Sequence, residues 1–224
     1  MPIHKTLNQD FFKTWSPEMA YVLGFFAADG NMTLNKAGGC YIEFTSNDHE
    51  LIQRVKALTK SSNKISSRIR NSKKHYRIQI GSVELFNDLL KLGLTPNKSK
   101  TIRLPKIPSE FFSDFARGYF DGDGCAYLGQ CWAKDRNKNR WVFNIRFTSG
   151  SRKFLGDFWE ELRRFGISGG YLYDKRGSCY ELVFSWLKGI DLCRIMYDNV
   201  SSGMYLHRKY EVYQKALKVV YKGT

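Results

Sequence analysis

Apolar positions cluster in two helix-length runs, residues 21–28 and 115–120, and each run closes on a polar pair, Asp29-Gly30 and Asp123-Gly124. The first run follows Ser16-Pro17-Glu18, an N-cap residue with proline at the first helical position. The second opens at Ser109-Glu110, just after Pro108. After each Asp-Gly the spacing changes from helical to alternating. In the first half Asn31, Thr33 and Asn35 face one way and Met32 and Leu34 the other. A second strand places Ile42 and Phe44 inward, and Tyr41, Glu43 and Thr45 outward. A helix follows from about Asp48, with Leu51, Ile52, Val55 and Leu58 at helical spacing. Two strands come next. One alternates Ile65 and Ile69 with Ser66, Arg68 and Arg70, and the other alternates Ile78 and Ile80 with Arg77 and Gln79. Asn71-Ser72-Lys73-Lys74 reads as the turn between them, and a helix over 83–92 ends at Gly93.

The second half repeats this order. Trp141, Phe143, Ile145 and Phe147 share one strand face, with Asn144 and Arg146 on the other, and Phe147-Thr148-Ser149 matches Phe44-Thr45-Ser46. A helix carries Phe154, Leu155, Phe158, Trp159 and Leu162, a hairpin over 171–184 turns through Lys175-Arg176-Gly177, and the last helices start near Leu187. Residues 133–140 read as a loop without a counterpart of equal length in the first half. The prolines of Arg103-Leu104-Pro105-Lys106-Ile107-Pro108 rule out regular helix there. The expected organisation is α+β, a repeated helix–two strands–helix–two strands–helix unit, with halves 1–107 and 108–224.

Charge narrows the function. The 224 residues carry 36 Lys/Arg against 21 Asp/Glu, a net +15. The excess is shared, +9 from 17 against 8 in residues 1–107 and +6 from 19 against 13 in 108–224. It points to a polyanion bound across both halves. From Lys60 to Arg77 there are seven Lys/Arg and no acid. On a polar sheet face such residues can pair with phosphates and with base edges in the major groove. Five cysteines at 40, 125, 131, 179 and 193, with no Cys-x-x-Cys, fit neither a disulfide scaffold nor a zinc ribbon and are expected as small core residues of an intracellular protein. No secretory leader or membrane span is visible.

The repeated helices carry the chemistry. Gly24 and Ala28 are four apart, as are Gly118 and Gly122, so small residues share one helix face and let two backbones come close. Parallel packing on that face brings Asp29 and Asp123 to the same end. Two neighbouring carboxylates call for a cation between them, and oxygen ligation suits Mg²⁺.

These residues resemble the LAGLIDADG homing endonuclease family in its single-chain, two-motif form: Val-Leu-Gly-Phe-Phe-Ala-Ala-Asp-Gly at 22–30 and Ala-Arg-Gly-Tyr-Phe-Asp-Gly-Asp-Gly at 116–124. The resemblance implies a pseudo-two-fold αββαββα repeat with two saddle-shaped, four-stranded antiparallel sheets on DNA and helices on the far face. It implies a monomeric, pseudo-dimeric enzyme that cuts both strands of a long, weakly symmetric duplex target and leaves 3′ overhangs. Its cofactor would be Mg²⁺ or Mn²⁺, with Ca²⁺ as a substitute that does not support cleavage. Asp29 and Asp123 would be metal ligands and catalytic, joined by the carbonyls of Ala28 and Gly122. The basic catalytic position falls on Lys98. In the second half it falls on His207, where the family has lysine, with Arg208 and Lys209 as alternatives. Ser46 and Ser149 stand where glutamine is common, and Ala27 replaces the motif's first acid, kept at Asp121. The DNA-facing set is Asn31, Thr33, Asn35, Tyr41, Glu43, Arg68, Arg70, Arg77 and Gln79, with Tyr127, Arg140, Asn144, Arg146, Lys175, Arg176 and Glu181. No self-splicing terminal residues are seen, which suggests a free-standing, intron-encoded enzyme of a bacterial cytoplasm or an organelle. The rival readings are an RNA maturase and a non-cleaving DNA-binding protein on the same fold.

Overall fold

A computed structural model describes residues 6–175, 177, 179–200 and 203–221. The elements follow in the order α1 (Pro17–Asp29), β1 (Gly30–Leu34), β2 (Cys40–Ser46), α2 (His49–Leu58), β3 (Ser66–Arg70), β4 (Lys73–Gly81) and α3 (Val83–Lys91). After the proline-bearing link come α4 (Phe112–Asp123), β5 (Gly124–Ala133), β6 (Lys138–Ser149), α5 (Arg152–Arg164), β7 (Tyr171–Asp174), β8 (Tyr180–Ser185), α6 (Leu187–Tyr197) and α7 (His207–Tyr221). The protein is α+β with two four-stranded antiparallel sheets, ordered β1-β2-β4-β3 and β5-β6-β8-β7. By backbone contacts the compact units are Met1–Gly122 and Asp123–Thr224, so nearly all of α4 lies with the first.

In the first unit, Ser16 caps α1 by accepting from the Met19 amide at 3.1 Å. Residues 19–27 of α1 are all buried, so this helix has no solvent stripe. Phe25 stacks on Phe44 at 5.9 Å between centroids, and Phe26 meets the same ring edge-on at 5.1 Å. Ile42, Ile78 and Ile80 of the sheet and Leu51, Ile52, Val55, Leu85 and Leu89 of α2 and α3 complete the core. α4 begins one turn later than Ser109, because Ser109–Phe111 form a 3₁₀ turn first. In the second unit Phe143, Ile145, Phe147, Leu182 and Phe184 meet Phe154, Leu155, Phe158 and Leu162, with Phe147 and Phe158 4.8 Å apart.

Four expectations change. Residues 133–140 are not a loop: β5 and β6 pair continuously from Gly124↔Phe147 to Ala133↔Lys138 as one long ribbon, with a 3₁₀ turn at Lys134–Arg136. Polar composition hid this, since a two-stranded ribbon clear of the core needs no inward apolar residue. Ile69 does not alternate into the core but is 78% exposed, because every residue of edge strand β3 is exposed. Of the cysteines, Cys193 is buried, Cys40 and Cys179 are half-exposed, and Cys125 and Cys131 are exposed on β5. The hairpin turn is tighter than expected, Asn71 and Ser72 alone, both at positive φ of 49° and 60°.

Candidate active site and nucleic-acid faces

Gly24 and Gly118 decide how closely α1 and α4 approach within the first unit. A Cβ on Gly24 would lie 2.8 Å from the Tyr119 amide nitrogen and nearer still to the Phe115 carbonyl. One on Gly118 would lie 2.8 Å from the Tyr21 carbonyl carbon. Backbone therefore meets backbone, which only glycine permits. The contacts run 21 to 118 at one level and 28–29 to 122 at another, so the helices are parallel. At their C-terminal end a Cβ on Gly122 would sit 2.5 Å from the Ala28 Cβ and 3.4 Å from Asp29 Oδ2. Asp29 is exposed and Asp123 half-buried, each at the last residue of its helix.

A buried polar network braces this helix pair. Tyr21 donates its hydroxyl proton to Asp121 Oδ2 at 2.7 Å, and Arg54 Nη1 donates to the Tyr21 oxygen at 3.0 Å. The Arg117 guanidinium lies 5.7 Å from the Tyr21 ring centroid and pairs with Asp114. Burial, and then the Asp121 charge, hold the Tyr21 phenol well above its ordinary pKa. Burial also pushes Asp114 up, against the pull of Arg117. Asp121, 1% exposed, therefore works inside the helix interface, consistent with a structural rather than a reactive position.

Two buried lysines occupy matching places. Lys98, 6% exposed, donates to the Gly30 carbonyl at 2.6 Å, and Lys209, 3% exposed, donates to the Gly124 carbonyl at 2.6 Å. Each holds its ammonium on the carbonyl just after a motif aspartate. His207, the first expectation for the second basic position, is instead exposed and faces Glu211, with Nε2 3.2 Å from Oε1. The reason is helical phase: His207 and Lys209 are two apart in the first turn of α7, so they point to different sides. Ser46 and Ser149 are turn residues, their hydroxyls accepting from the amides of Asp48 and Ser151, each at 3.1 Å.

The expected base-facing residues share the polar faces of the two sheets. Register puts Asn31 opposite Glu43 and Thr33 opposite Tyr41, with Glu43 opposite Gln79 in turn and Arg77 opposite Thr45. Arg68 and Arg70 continue that face on β3. Asn35 lies past the end of β1, its side-chain oxygen accepting from the Ala37 and Gly39 amides at 3.0 and 2.6 Å. In the second sheet Tyr127, Asn144, Arg146 and Glu181 line one cleft of about 310 Å³ with Tyr171, Tyr173 and Val183. Tyr171 and Tyr173 were missed by sequence reasoning, although their spacing of two put them on this face. Arg140 stands further out on the ribbon opposite Cys131, and Lys175 reaches Glu181 at 3.2 Å. Arg176 lies outside the described residues.

Among the described residues no three His, Cys, Asp or Glu side chains form a cluster able to cage a metal. The donors at the motif ends, carboxylate and main-chain carbonyl, are hard oxygens. Gly122 lets α4 pack directly on Ala28, next to the Asp29 carboxylate. Donors of this kind are the type that hard divalent cations take, with water and phosphate completing the shell.

The family model for the LAGLIDADG-like domain matches residues 16–100 and again 110–211. A probable translation initiation factor IF-2 of Thermococcus kodakarensis is 31% identical over 186 residues, 80% of this chain. The chain spans only 14% of that relative's length. The solved structure of the homing endonuclease I-LtrWI bound to target DNA matches at a TM-score of 0.61 and 13% identity, over 96% of this chain and 92% of that one. I-SmaMI bound to uncleaved DNA target in the presence of calcium ions matches at 0.62 and 15% identity, over 94% and 93%. Likeness at this identity speaks for the fold. Among the described residues no helix is long and apolar enough to cross a membrane.

Proposed function

Because the chain belongs to the LAGLIDADG family, we propose that it is a site-specific DNA endonuclease of the homing type. It makes a divalent-metal-dependent double-strand break with 3′ overhangs at a long asymmetric target, such as an intron insertion site. The observation that carries this reading is the parallel, glycine-spaced contact of α1 and α4. It sets Asp29 beside Gly122, the residue before Asp123. Asp29 and Asp123, with the carbonyls of Ala28 and Gly122, would hold Mg²⁺. When bound, the ion supplies an acidified water and neutralises charge on the scissile phosphate. The need is large: accelerations near the upper enzymatic range, ~10¹⁷-fold, are worth about 23 kcal/mol, whereas a lone general base gives ~10²–10⁴-fold.

The chain's own residues do the rest. Lys98 and Lys209 hold fixed positive charge at each motif turn, where negative charge builds on the phosphate. The polar sheet faces grip the duplex, with Arg68, Arg70 and their neighbours on phosphates and the inner residues on base edges. Asn35, Arg140 and Lys175 extend that contact from turns and ribbon. The initiation-factor activity of the longer relative is not carried over.

The test is Asp29→Asn or Asp123→Asn with duplex DNA spanning the candidate insertion site and Mg²⁺. Double-strand cleavage should disappear while DNA affinity stays within a few-fold. Equal cleavage by variant and parent sinks the assignment. Tight binding of intron RNA, with that DNA never nicked by the parent, hands the fold to the maturase reading.

A further inference from the structure

Register makes the two sheets comparable residue by residue. Gly30 is opposite Phe44 as Gly124 is opposite Phe147, and Ser46 is opposite Tyr76 as Ser149 is opposite Tyr180. Glu43 of β2 therefore corresponds to Arg146 of β6, and Arg77 of β4 to Glu181 of β8. Both positions form a diagonal ion pair across the two central strands, with the signs exchanged. Arg77 Nη2 is 2.7 Å from Glu43 Oε2, and Arg146 Nη1 is 3.8 Å from Glu181 Oε2.

These pairs are built to be read against. The arginines keep 37% and 35% of their side chains exposed on the polar face. Among the described residues neither arginine's buried Nε has an acceptor. A buried donor left unmade is costly, so the fork is not fully satisfied by its own glutamate. Thr45 donates to Glu43 at 3.4 Å, and Lys175 holds Glu181 at 3.2 Å, so each carboxylate has a second partner besides its arginine. The edge of one G·C base pair in the major groove presents two acceptors from guanine and one donor from cytosine. A neighbouring arginine and glutamate offer the complementary set.

We propose that each ion pair reads one whole G·C base pair, arginine on guanine and glutamate on cytosine, and that the exchanged signs reverse the guanine strand between the two half-sites, each taken in the frame of its own sheet. Two identical sheets would each ask for the same base pair in its own frame. This chain asks for opposite orientations at that one position, so Glu43–Arg77 and Arg146–Glu181 are specificity determinants that make the two half-sites differ. The inference rests on the sheets being the DNA-reading faces.

The experiment selects from duplex DNA with a randomised 30-base-pair segment by binding in Ca²⁺, so that no cleavage is needed, for the parent and for two double variants. Glu43→Arg/Arg77→Glu should switch one selected position from G·C to C·G by about tenfold or more, the worth of a bidentate contact, and leave the other positions unchanged. Arg146→Glu/Glu181→Arg should do the same at one position in the other half-site. Glu43→Gln, which keeps the arginine, guards against misfolding of the exchanged pair: guanine should persist while discrimination at its partner weakens. Enrichment with no base preference at these positions, or unchanged preference in folded double variants, overturns the inference and leaves the DNA-binding reading standing. No enrichment of any sequence by the parent overturns both.

Discussion

Gly118→Ala tests the helix contact on which the proposed active site is built. The new Cβ would sit 2.8 Å from the Tyr21 carbonyl carbon and 3.0 Å from its Cα. Comfortable carbon contacts begin near 3.5 Å. The obstruction is main chain, so no rotamer change relieves it, and α1 and α4 must part by something on the order of 1 Å. Overpacking costs about 1–3 kcal/mol and at times more, while alanine returns about 1 kcal/mol of helix propensity. Because the obstruction is main chain the upper figure of about 3 kcal/mol applies, and the net loss of about 2 kcal/mol lowers the melting temperature by about 4–8 °C at this chain length. Gly156 is the internal control, since within α5 a Cβ there meets nothing within 4 Å. Gly156→Ala should therefore stabilise by about 0.5–1 kcal/mol. Scanning calorimetry of both variants reads the sign directly. Cleavage by Gly118→Ala at a temperature where it is folded should fall on the order of 10²-fold, because a displacement of about 1 Å at a catalytic constellation costs that much. A Gly118→Ala protein that melts with the parent and cuts at the parent rate refutes the close-contact argument.

Lys209→Ala should slow cleavage by about 10²-fold or more, as loss of a fixed charge at the reacting phosphate does, and Lys98→Ala should match it. His207→Ala, a surface change, should stay within about 0.5 kcal/mol of the parent in stability and cut normally. If gel assays show His207→Ala impaired and Lys209→Ala intact, the second basic role belongs to the histidine. Tyr21 gives a pH signature. Its phenol is raised by burial and then by Asp121, so its contribution is whole below the unfolded tyrosine value near pH 10 and is lost as pH rises above it, by up to about 1.4 kcal/mol per pH unit. Tyr21→Phe should be less stable than the parent at pH 7, by about 1–3 kcal/mol for the donor withdrawn from Asp121, yet lose less between pH 9.5 and 11. Parallel urea midpoints across that range for both proteins contradict the assignment.

Element order and face assignment were legible because short-range rules govern them. Ser16-Pro17 starts a helix by its own capping chemistry, and strict alternation puts Ile42 and Phe44 opposite Glu43 and Thr45 whatever lies beyond. The motif aspartates, Asp29 and Asp123, stood out for the same reason: each ends an apolar run at a change of period. What failed were positions whose fate depends on distant chain. Ile69 looks like a core residue until the edge strand carrying it has nothing to cover. Residues 133–140 look like a loop until the pairing of β5 with β6 makes part of them strand.

The sequence by itself determined the repeat, the two sheets, the excess positive charge and the two acids, since all of these are written in composition and local periodicity. Only the tertiary structure decided that Lys209 rather than His207 lies on the Gly124 carbonyl, that Gly118 meets the Tyr21 backbone, and that Glu43 and Arg77 mirror Arg146 and Glu181 with signs exchanged. Those facts depend on helix phase and cross-strand register, and register joins residues that have no periodic relation along the chain.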